Sequence, residues 1–232
     1  MLSFSNFFPL NVVAFVSDRK IDFSLNKNNP VLTTAQQEYL RTNLGAEQID
    51  LANVSPIVQV HGNRILVKKE KSERGIEEAD GFITGLKNLP LTVRTADCLS
   101  IFFYTPDKCI GLIHAGWRGT QKRIAQEAVR MMQQEYKVIP AQIKVLLGPA
   151  IRKCCYEVSE ELKGFFPRTI FSREGRHYLD LSLENVEQLI QAGVRKENIF
   201  DCGICTCCDI NYFSYRREGE EAGRMLSLIM LA

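Results

Sequence analysis

The sequence predicts an α/β fold, and two stretches carry that prediction. Leu91 to Met132 divides into an apolar strand, a turn, a second apolar strand, a glycine corner and a helix. Ile143 to Leu147 is a β-branched and leucine run closing on Gly148-Pro149, and α/β folds place their functional loops at such strand ends. With 232 residues, 45% of them hydrophobic and 24% charged, the chain can bury a substantial core without a staple. One domain over residues 1–232 is expected.

Taken in order, Asn11 to Val16 is the first expected strand. It closes an apolar stretch from Phe7 that Pro9 and Asn11 interrupt, too short to span a bilayer and without a basic leader, which points to a cytoplasmic protein with no membrane partner. After a polar connection from Ser17 to Pro30, Thr33 or Thr34 can cap a helix through Gln36, Leu40 and Leu44 that Gly45 ends. Ile57 to Gly62 predicts a strand running into a turn, continued by Ile65 to Val67. Lys68 to Asp80 is charged and lacks an apolar period, so an exposed loop or short helix is expected. Ala79 to Thr84 leads back into the core.

Leu99 to Tyr104 and Cys109 to Ile113 are the two central strands, joined by the turn Thr105-Pro106-Asp107-Lys108. Gly116 and Gly119 bracket the corner that follows, where the backbone can expose amides. Thr120 is the expected N-cap of the next helix, whose Ile124, Ala128, Met131 and Met132 share one face. Ser159 can cap a short helix over Glu160 to Phe165. Asp180 or Ser182 can begin another, with Leu183, Val186, Leu189 and Ile190 inward and Gly193 closing it. Ile199 to Thr206 and Tyr212 to Tyr215 are expected strands, and Ala222 to Leu231 suits either helix or strand.

Composition excludes some partners. A formal net charge of +2 leaves no electrostatic footprint for nucleic acid. Eight cysteines in a chain of this size without a leader predict reduced thiols, and the adjacent pairs Cys154-Cys155 and Cys207-Cys208 are poorly placed for vicinal bridges. The CxxC spacing of Cys202 and Cys205 invites a redox or zinc-knuckle reading, but the lack of a following helix favours structural thiols. Arg94, Arg118, Arg152, Arg216 and Arg217 are candidate anion clamps, each also at home as an ordinary ion-pair residue.

A site emerges around the central strands. If they pair as a hairpin about Pro106 and Asp107, Cys98 falls opposite His114 to within about one residue, with Cβ atoms roughly 4.5–5.5 Å apart. That separation suits two ligands of one metal, or a thiol and its base. Of the three histidines, His61 also stands at a strand end and can converge on the same edge, whereas His177 lies among charged loop residues. One thiolate and two imidazoles suit zinc with a fourth position for water, and copper accepts the same donors. Asp97, beside the cysteine, needs a partner or an ion if buried. The plain alternative is that Cys98 and His114 are core residues.

At these residues the chain resembles the laccase-domain family, also called multicopper polyphenol oxidases or peptidoglycan editing factors, whose members are treated as purine nucleoside phosphorylases with adenosine deaminase activity. The motifs are Gln59-Val60-His61-Gly62, Thr95-Ala96-Asp97-Cys98 and His114-Ala115-Gly116-Trp117-Arg118-Gly119. Gly148-Pro149-Ala150-Ile151 with Cys154-Cys155-Tyr156-Glu157-Val158, and Phe213-Ser214-Tyr215-Arg216-Arg217, follow in family order. Ser100 replaces a usual proline and Ala222 a usual threonine, and Asp22 to Asn26 follows the pattern only in part.

The resemblance implies a three-layer α/β fold with mixed sheets, akin to toxin-like cysteine hydrolases, and metal ligands at His61, Cys98 and His114. It implies zinc-dependent phosphorolysis of adenosine, inosine and methylthioadenosine, with phosphate as co-substrate, and deamination of adenosine. An ion that lowers the pKa of water suits attack at C6 of adenine, with Asp97 or Glu157 carrying the proton. Phosphorolysis asks for an anion clamp, for which Arg118, Arg94, Arg216 and the amides of the Gly116–Gly119 corner are the candidates. The rival readings are a copper phenol oxidase, a metal-free hydrolase acting on peptidoglycan precursors through Cys98 and His114, and a binding module with a structural zinc.

Overall fold

The computed structural model describes residues 1–24, 32–44, 57–70 and 77–232. In chain order its strands and helices are β1 (Leu2–Ser3), β2 (Val12–Val16), α1 (Thr34–Leu44), β3 (Ile57–Val58), β4 (Leu66–Lys68), β5 (Glu77–Glu78), β6 (Gly81–Thr84) and β7 (Leu91–Thr95). The central unit follows as β8 (Leu99–Thr105), β9 (Cys109–Ala115), α2 (Trp117–Gln121) and α3 (Ile124–Tyr136). The remainder comprises β10 (Lys144–Leu147), β11 (Glu157–Val158), β12 (Ile170–Arg173), β13 (Arg176–Leu179), α4 (Leu181–Gln191), β14 (Ile199–Asp201), α5 (Tyr215–Glu218) and β15 (Met225–Leu231).

Two sheets face each other. The larger runs β14-β10-β8-β9-β6-β4 and is mixed, with β14 parallel to β10 and β4 parallel to β6. The smaller, β1-β2-β15-β7, is antiparallel throughout. Side chains alternate across a strand, and this alternation builds the layers. β8 sends Leu99, Ile101 and Phe103 into a core with α3 and α4, and Phe102 and Tyr104 into a core shared with β2, β7 and β15. A fully buried Phe contributes about 1.5–3 kcal/mol, so Phe102 and Phe103, buried on opposite faces, each anchor one layer. Helices, mixed sheet and antiparallel sheet form the three expected layers. α1 then covers the outer sheet, with Leu40 against Phe15, Leu226, Leu228 and Met230.

Several local expectations are met. Thr33 and Gln36 form a reciprocal capping box at the start of α1, with Gln36 N donating to Thr33 Oγ1 (3.3 Å) and Thr33 N to Gln36 Oε1 (2.9 Å). Asp180 caps α4 by accepting from Leu183 N at 3.0 Å. Gly45 lies outside the described residues.

Others are corrected. Ser100, not Cys98, pairs with His114: a two-residue turn about Pro106 and Asp107 would set Leu99 opposite His114, and the three-residue loop Pro106–Lys108, with Asp107 left-handed at φ 56°, moves the partner one further. Thr120 is no N-cap: α2 already begins at Trp117 after Gly116, and the Thr120 hydroxyl is buried, accepting from Asn185 Nδ2 at 3.0 Å. Arg123 turns left-handed at φ 60°, so α3 starts afresh at Ile124. Ile190 is 42% exposed, since Asn185 and Gln188 take the buried face of α4 to reach Thr120. Tyr212 to Tyr215 is not a strand; Ser214 caps α5 instead, accepting from Arg217 N. The Ala222 to Leu231 segment resolves as β15, a central strand of its sheet. Within the charged segment expected to be exposed, Asp80 is fully buried.

Candidate active site

His61, Cys98 and His114 reach one point from three elements. His114 comes from the end of β9, Cys98 from the short link between β7 and β8, and His61 from the turn after β3. Their donor atoms all lie within 4.8 Å of one another, and the two imidazole rings meet edge to face with centroids 4.8 Å apart. In β9, Cys109, Ile113 and Ala115 serve the helix-side core, whereas Ile110 and Leu112 serve the inter-sheet core. By the same parity His114 faces the antiparallel sheet, which places it over the Cys98 link.

Asp80, just ahead of β6, organises the group. Its Oδ1 is 2.8 Å from His114 Nδ1 and accepts the His61 amide at 3.0 Å, while Oδ2 accepts the Gly62 amide at 2.6 Å. His61 has a left-handed backbone, φ 57°, a conformation that costs of order 1–3 kcal/mol at such sites. The two amide bonds to a buried carboxylate hold it there. Burial alone would raise the Asp80 carboxyl, but its bond to His114 and the two amides keep it below its ordinary value.

The electrostatics favour a thiolate. Burial alone would raise the Cys98 thiol, but the charge of His114 and hydrogen bonds from His114 and His61 outweigh it and pull the thiol down to about 6. Burial likewise opposes charging of His114, yet the Cys98 thiolate and Asp80 push that imidazole up.

The donor set fits a metal ion. Asp80 occupies Nδ1 of His114 and leaves Nε2 for the shared point, the arrangement by which a carboxylate fixes a ligating imidazole. A Cβ at Gly116 would stand 3.1 Å from Cys98 Sγ, 3.3 Å from His61 Cδ2 and 3.8 Å from His114 Nε2. Glycine therefore keeps open the space on which the three donors converge. Gly119 serves the same end one turn later, since a Cβ there would meet the Gly62 carbonyl at 2.7 Å and push α2 off the His61 turn.

Asp97, left-handed at φ 81°, is buried beside Cys98. Its Oδ1 accepts from Thr206 Oγ1 (2.6 Å), and its Oδ2 from Ser214 Oγ (3.1 Å) and the Arg216 amide (2.6 Å). It thus ties the Cys98 link to the Thr206 loop and to the start of α5. Glu157, the other carboxylate considered, lies outside the cavity, ion-paired with Arg176 at 3.3 Å.

The trio lines a cavity of about 800 Å³, within the range of small-molecule sites. Ile57, Ile151, Leu181, Trp117, Tyr156 and Tyr215 supply apolar and aromatic wall. Arg94, Arg118, Arg216 and Arg224 also line it, against Asp97 as the one lining carboxylate among the described residues. Arg94 is buried, its Nε donates to the Phe23 carbonyl (2.8 Å), and its Nη1 has no hydrogen-bond partner among the described residues. Burial lowers that guanidinium to about 10. Arg118 stacks on Trp117 with its guanidinium carbon 4.3 Å from the ring centroid. Arg216 is partly spent on the carbonyls of Cys155 (3.1 Å) and Glu157 (2.8 Å).

Arg152, Arg217 and His177 stand outside the cavity lining. Arg152 pairs with Asp201, Arg217 holds the carbonyls of Thr206, Cys207 and Tyr212, and His177 bonds Ser172 on a hairpin. Sequence reasoning gave Asp80 and Arg224 no place in the site, and it named Gln59, Tyr156 and Tyr215 as motif members without a role. For Asp80 the usable signal was a lone carboxylate between Ala79 and Gly81 at the start of an apolar strand. Gln59 clasps the Arg94 backbone from both sides, at 2.7 and 2.8 Å. Burial, then the Cys98 charge, push the Tyr156 phenol well above its ordinary range, so it remains a donor.

Comparison with known proteins places this geometry in context. Residues 25–232 match the family model described as multi-copper polyphenol oxidoreductase laccase. A purine nucleoside phosphorylase of Aquifex aeolicus is 33% identical over 174 residues, 75% of this chain and 81% of that protein. Purine nucleoside phosphorylase YlmD of Geobacillus stearothermophilus is 36% identical over 191 residues, 74% of this chain and 69% of its own. The crystal structure of YlmD from that organism superposes with a TM-score of 0.84, covering 96% of this chain and 92% of that one at 30% identity. Adenosine deaminase RL5, from an unknown prokaryotic organism, is 31% identical over 197 residues, 76% of this chain and 74% of that protein.

Proposed function

The chain belongs to the multi-copper polyphenol oxidoreductase laccase family, and from that premise we propose that it is a zinc-dependent purine nucleoside phosphorylase acting on adenosine, inosine and methylthioadenosine. The observation that carries this reading is a cavity that joins a His-Cys-His donor set to four arginines and an aromatic wall. Relatives named purine nucleoside phosphorylase support it.

His61, Cys98 and His114 would hold the ion. When bound, zinc supplies a Lewis acid and lowers the pKa of water toward neutrality. Arg94 and Arg118, with help from Arg216 and Arg224, hold phosphate, and the Nη1 of buried Arg94, without a hydrogen-bond partner among the described residues, is its strongest anchor. Phosphate oxygen bonds to ribose C1′ as the bond from C1′ to the purine nitrogen breaks, and the bond's electron pair leaves with the base. Trp117, Tyr156 and Tyr215 offer aromatic faces for the purine. The Tyr156 phenol can donate a hydrogen bond to the departing base, and the proton that phosphate gives up on bonding C1′ passes to that base, with Asp97, a carboxylate of the lining, as its carrier. Arginines placed around the anion act chiefly by positioning and charge stabilisation.

Deamination of adenosine is a second activity of the same cavity. Three protein donors leave room for water, as in zinc deaminases, and a relative carries that activity in its name. Copper phenol oxidation is the weaker reading: four-electron oxygen chemistry draws on many imidazoles, and two of the chain's three histidines are at the site.

The test is product analysis on each nucleoside with and without phosphate. Free base with ribose 1-phosphate, formed only when phosphate is present, is expected. His61→Ala is expected to lose that activity; hydrolase activity retained in His61→Ala would instead favour the metal-free Cys98 and His114 pair, which does not need His61.

A further inference from the structure

Outside the cavity lining, Cys154, Cys155, Cys205 and Cys208 bring four sulfur atoms together, all within 4.8 Å of one another. The separations are 3.5 Å for Cys154–Cys205, 3.7 Å for Cys154–Cys208 and 3.3 Å for Cys155–Cys208. A tetrahedral zinc site with Zn–S bonds of about 2.3 Å has sulfur–sulfur edges of about 3.8 Å. A disulfide needs about 2.05 Å, and all eight cysteines are free thiols.

We propose that Cys154, Cys155, Cys205 and Cys208 form a second, structural metal site that takes one tetrahedral zinc ion. A packing role does not account for the cluster, because cysteine used as a small hydrophobe is buried, whereas Cys154 and Cys208 are exposed. Nor do mutual hydrogen bonds, since S–H is a weak donor. The sequence has the matching grammar: Cys205-Thr206-Cys207-Cys208 is a CxxC that overlaps the Cys202–Cys205 spacing.

The backbone has already brought the two ligand segments side by side. Ala150 N donates to the Ile204 carbonyl (3.2 Å) and Thr206 N to the Ala150 carbonyl (3.1 Å). The ion adds a cross-link between segments 51 residues apart in sequence. Both segments serve the cavity: Tyr156 follows Cys155 and lines it, and Thr206, inside the CxxC, donates to Asp97. The thiolate site therefore fixes the wall that the His61–Cys98–His114 site faces.

Metal content of untagged protein purified under reductant tests this independently of any nucleoside turnover. Two zinc ions per chain are expected in the wild type, one in His61→Ala/His114→Ala and one in Cys205→Ser/Cys208→Ser. X-ray absorption of the histidine variant is expected to show zinc surrounded by sulfur alone. That variant leaves all four thiols intact, so it decides the matter even where the serine variant fails to fold. A single ion in the wild type that disappears with the two histidines would overturn the proposal. So would recovery of Cys154 or Cys155 in disulfide linkage to Cys205 or Cys208.

Discussion

Asp80 and His114 are bonded twice over: His114 Nδ1 lies 2.8 Å from Asp80 Oδ1, and the His114 amide donates to the Asp80 carbonyl at 2.7 Å. Strand pairing of β6 with β9 thus sets the imidazole ring through backbone and side chain together, before any ion arrives. Asn at position 80 would keep one acceptor and turn the other toward the Gly62 amide as a donor. Asp80→Asn is expected to fold with reduced stability and to weaken metal affinity at the histidine site by about 10–100-fold, the usual range for removing such a support. Competition against a chromophoric chelator measures this. Unchanged affinity would mean that His114 needs no help from Asp80.

Cys98 gives a pH prediction. Its pKa is lowered, so the thiolate persists as pH falls until about 6 and is lost below that value. In metal-stripped protein, alkylation of the Cys98 peptide is expected to be fast at pH 7 and to decline only as pH drops through about 6. Cys109, raised to about 11 by burial, serves as the internal contrast and should stay unreactive. Mass spectrometry of the two peptides across pH reads both. A Cys98 inflection in the ordinary thiol range would show that the imidazoles do not charge it.

Arg94 is the residue on which phosphate binding should depend most. It combines a buried guanidinium, an Nη1 with no partner among the described residues and a backbone clasped by Gln59. A hydrogen bond to a charged group is worth about 1.5–3 kcal/mol, which corresponds to roughly 10–200-fold in binding. Arg94→Met is therefore expected to raise the phosphate KM by at least about tenfold while leaving the nucleoside KM and the zinc content near wild type. Steady-state kinetics with each substrate varied in turn separates the two. A rise confined to the nucleoside KM would move the anion site elsewhere.

The sequence carried the α/β class and the central strand-turn-strand-helix unit because these rest on local periodicity, and the three convergent donors because each stands at a strand end inside a motif, although His61 is 53 residues from His114. What it hid depends on pairing over distance. Asp80 is 34 residues from His114 and meets it only through the β6–β9 register. The thiol cluster joins Cys154 to Cys205 across 51 residues. The Cys98–His114 register was off by two residues, one from the count across the turn and one from the extra loop residue, which composition does not signal. Tyr212 to Tyr215 has the aromatic content of a strand, yet Ser214 is claimed by Asp97 and by the Arg217 amide, and that capping decides for a helix.

Gly116 offers the sharpest test of where the ion sits. Its backbone, φ −75° and ψ 173°, suits any residue, so alanine introduces no conformational strain. The added methyl would nonetheless stand 3.1 Å from Cys98 Sγ and 3.3 Å from His61 Cδ2, in the space the three donors share. Metal–ligand distances tolerate only about ±0.2 Å, and the side chains must yield by more than that to seat both methyl and ion. Gly116→Ala is expected to keep its metal-free melting temperature within a few degrees, since no core contact is lost, while affinity at the histidine site falls at least about tenfold. The cysteine cluster, which Gly116 does not approach, should retain its ion and so reports that the protein is folded. Undiminished metal at both sites would place the ion outside the space that Gly116 keeps clear.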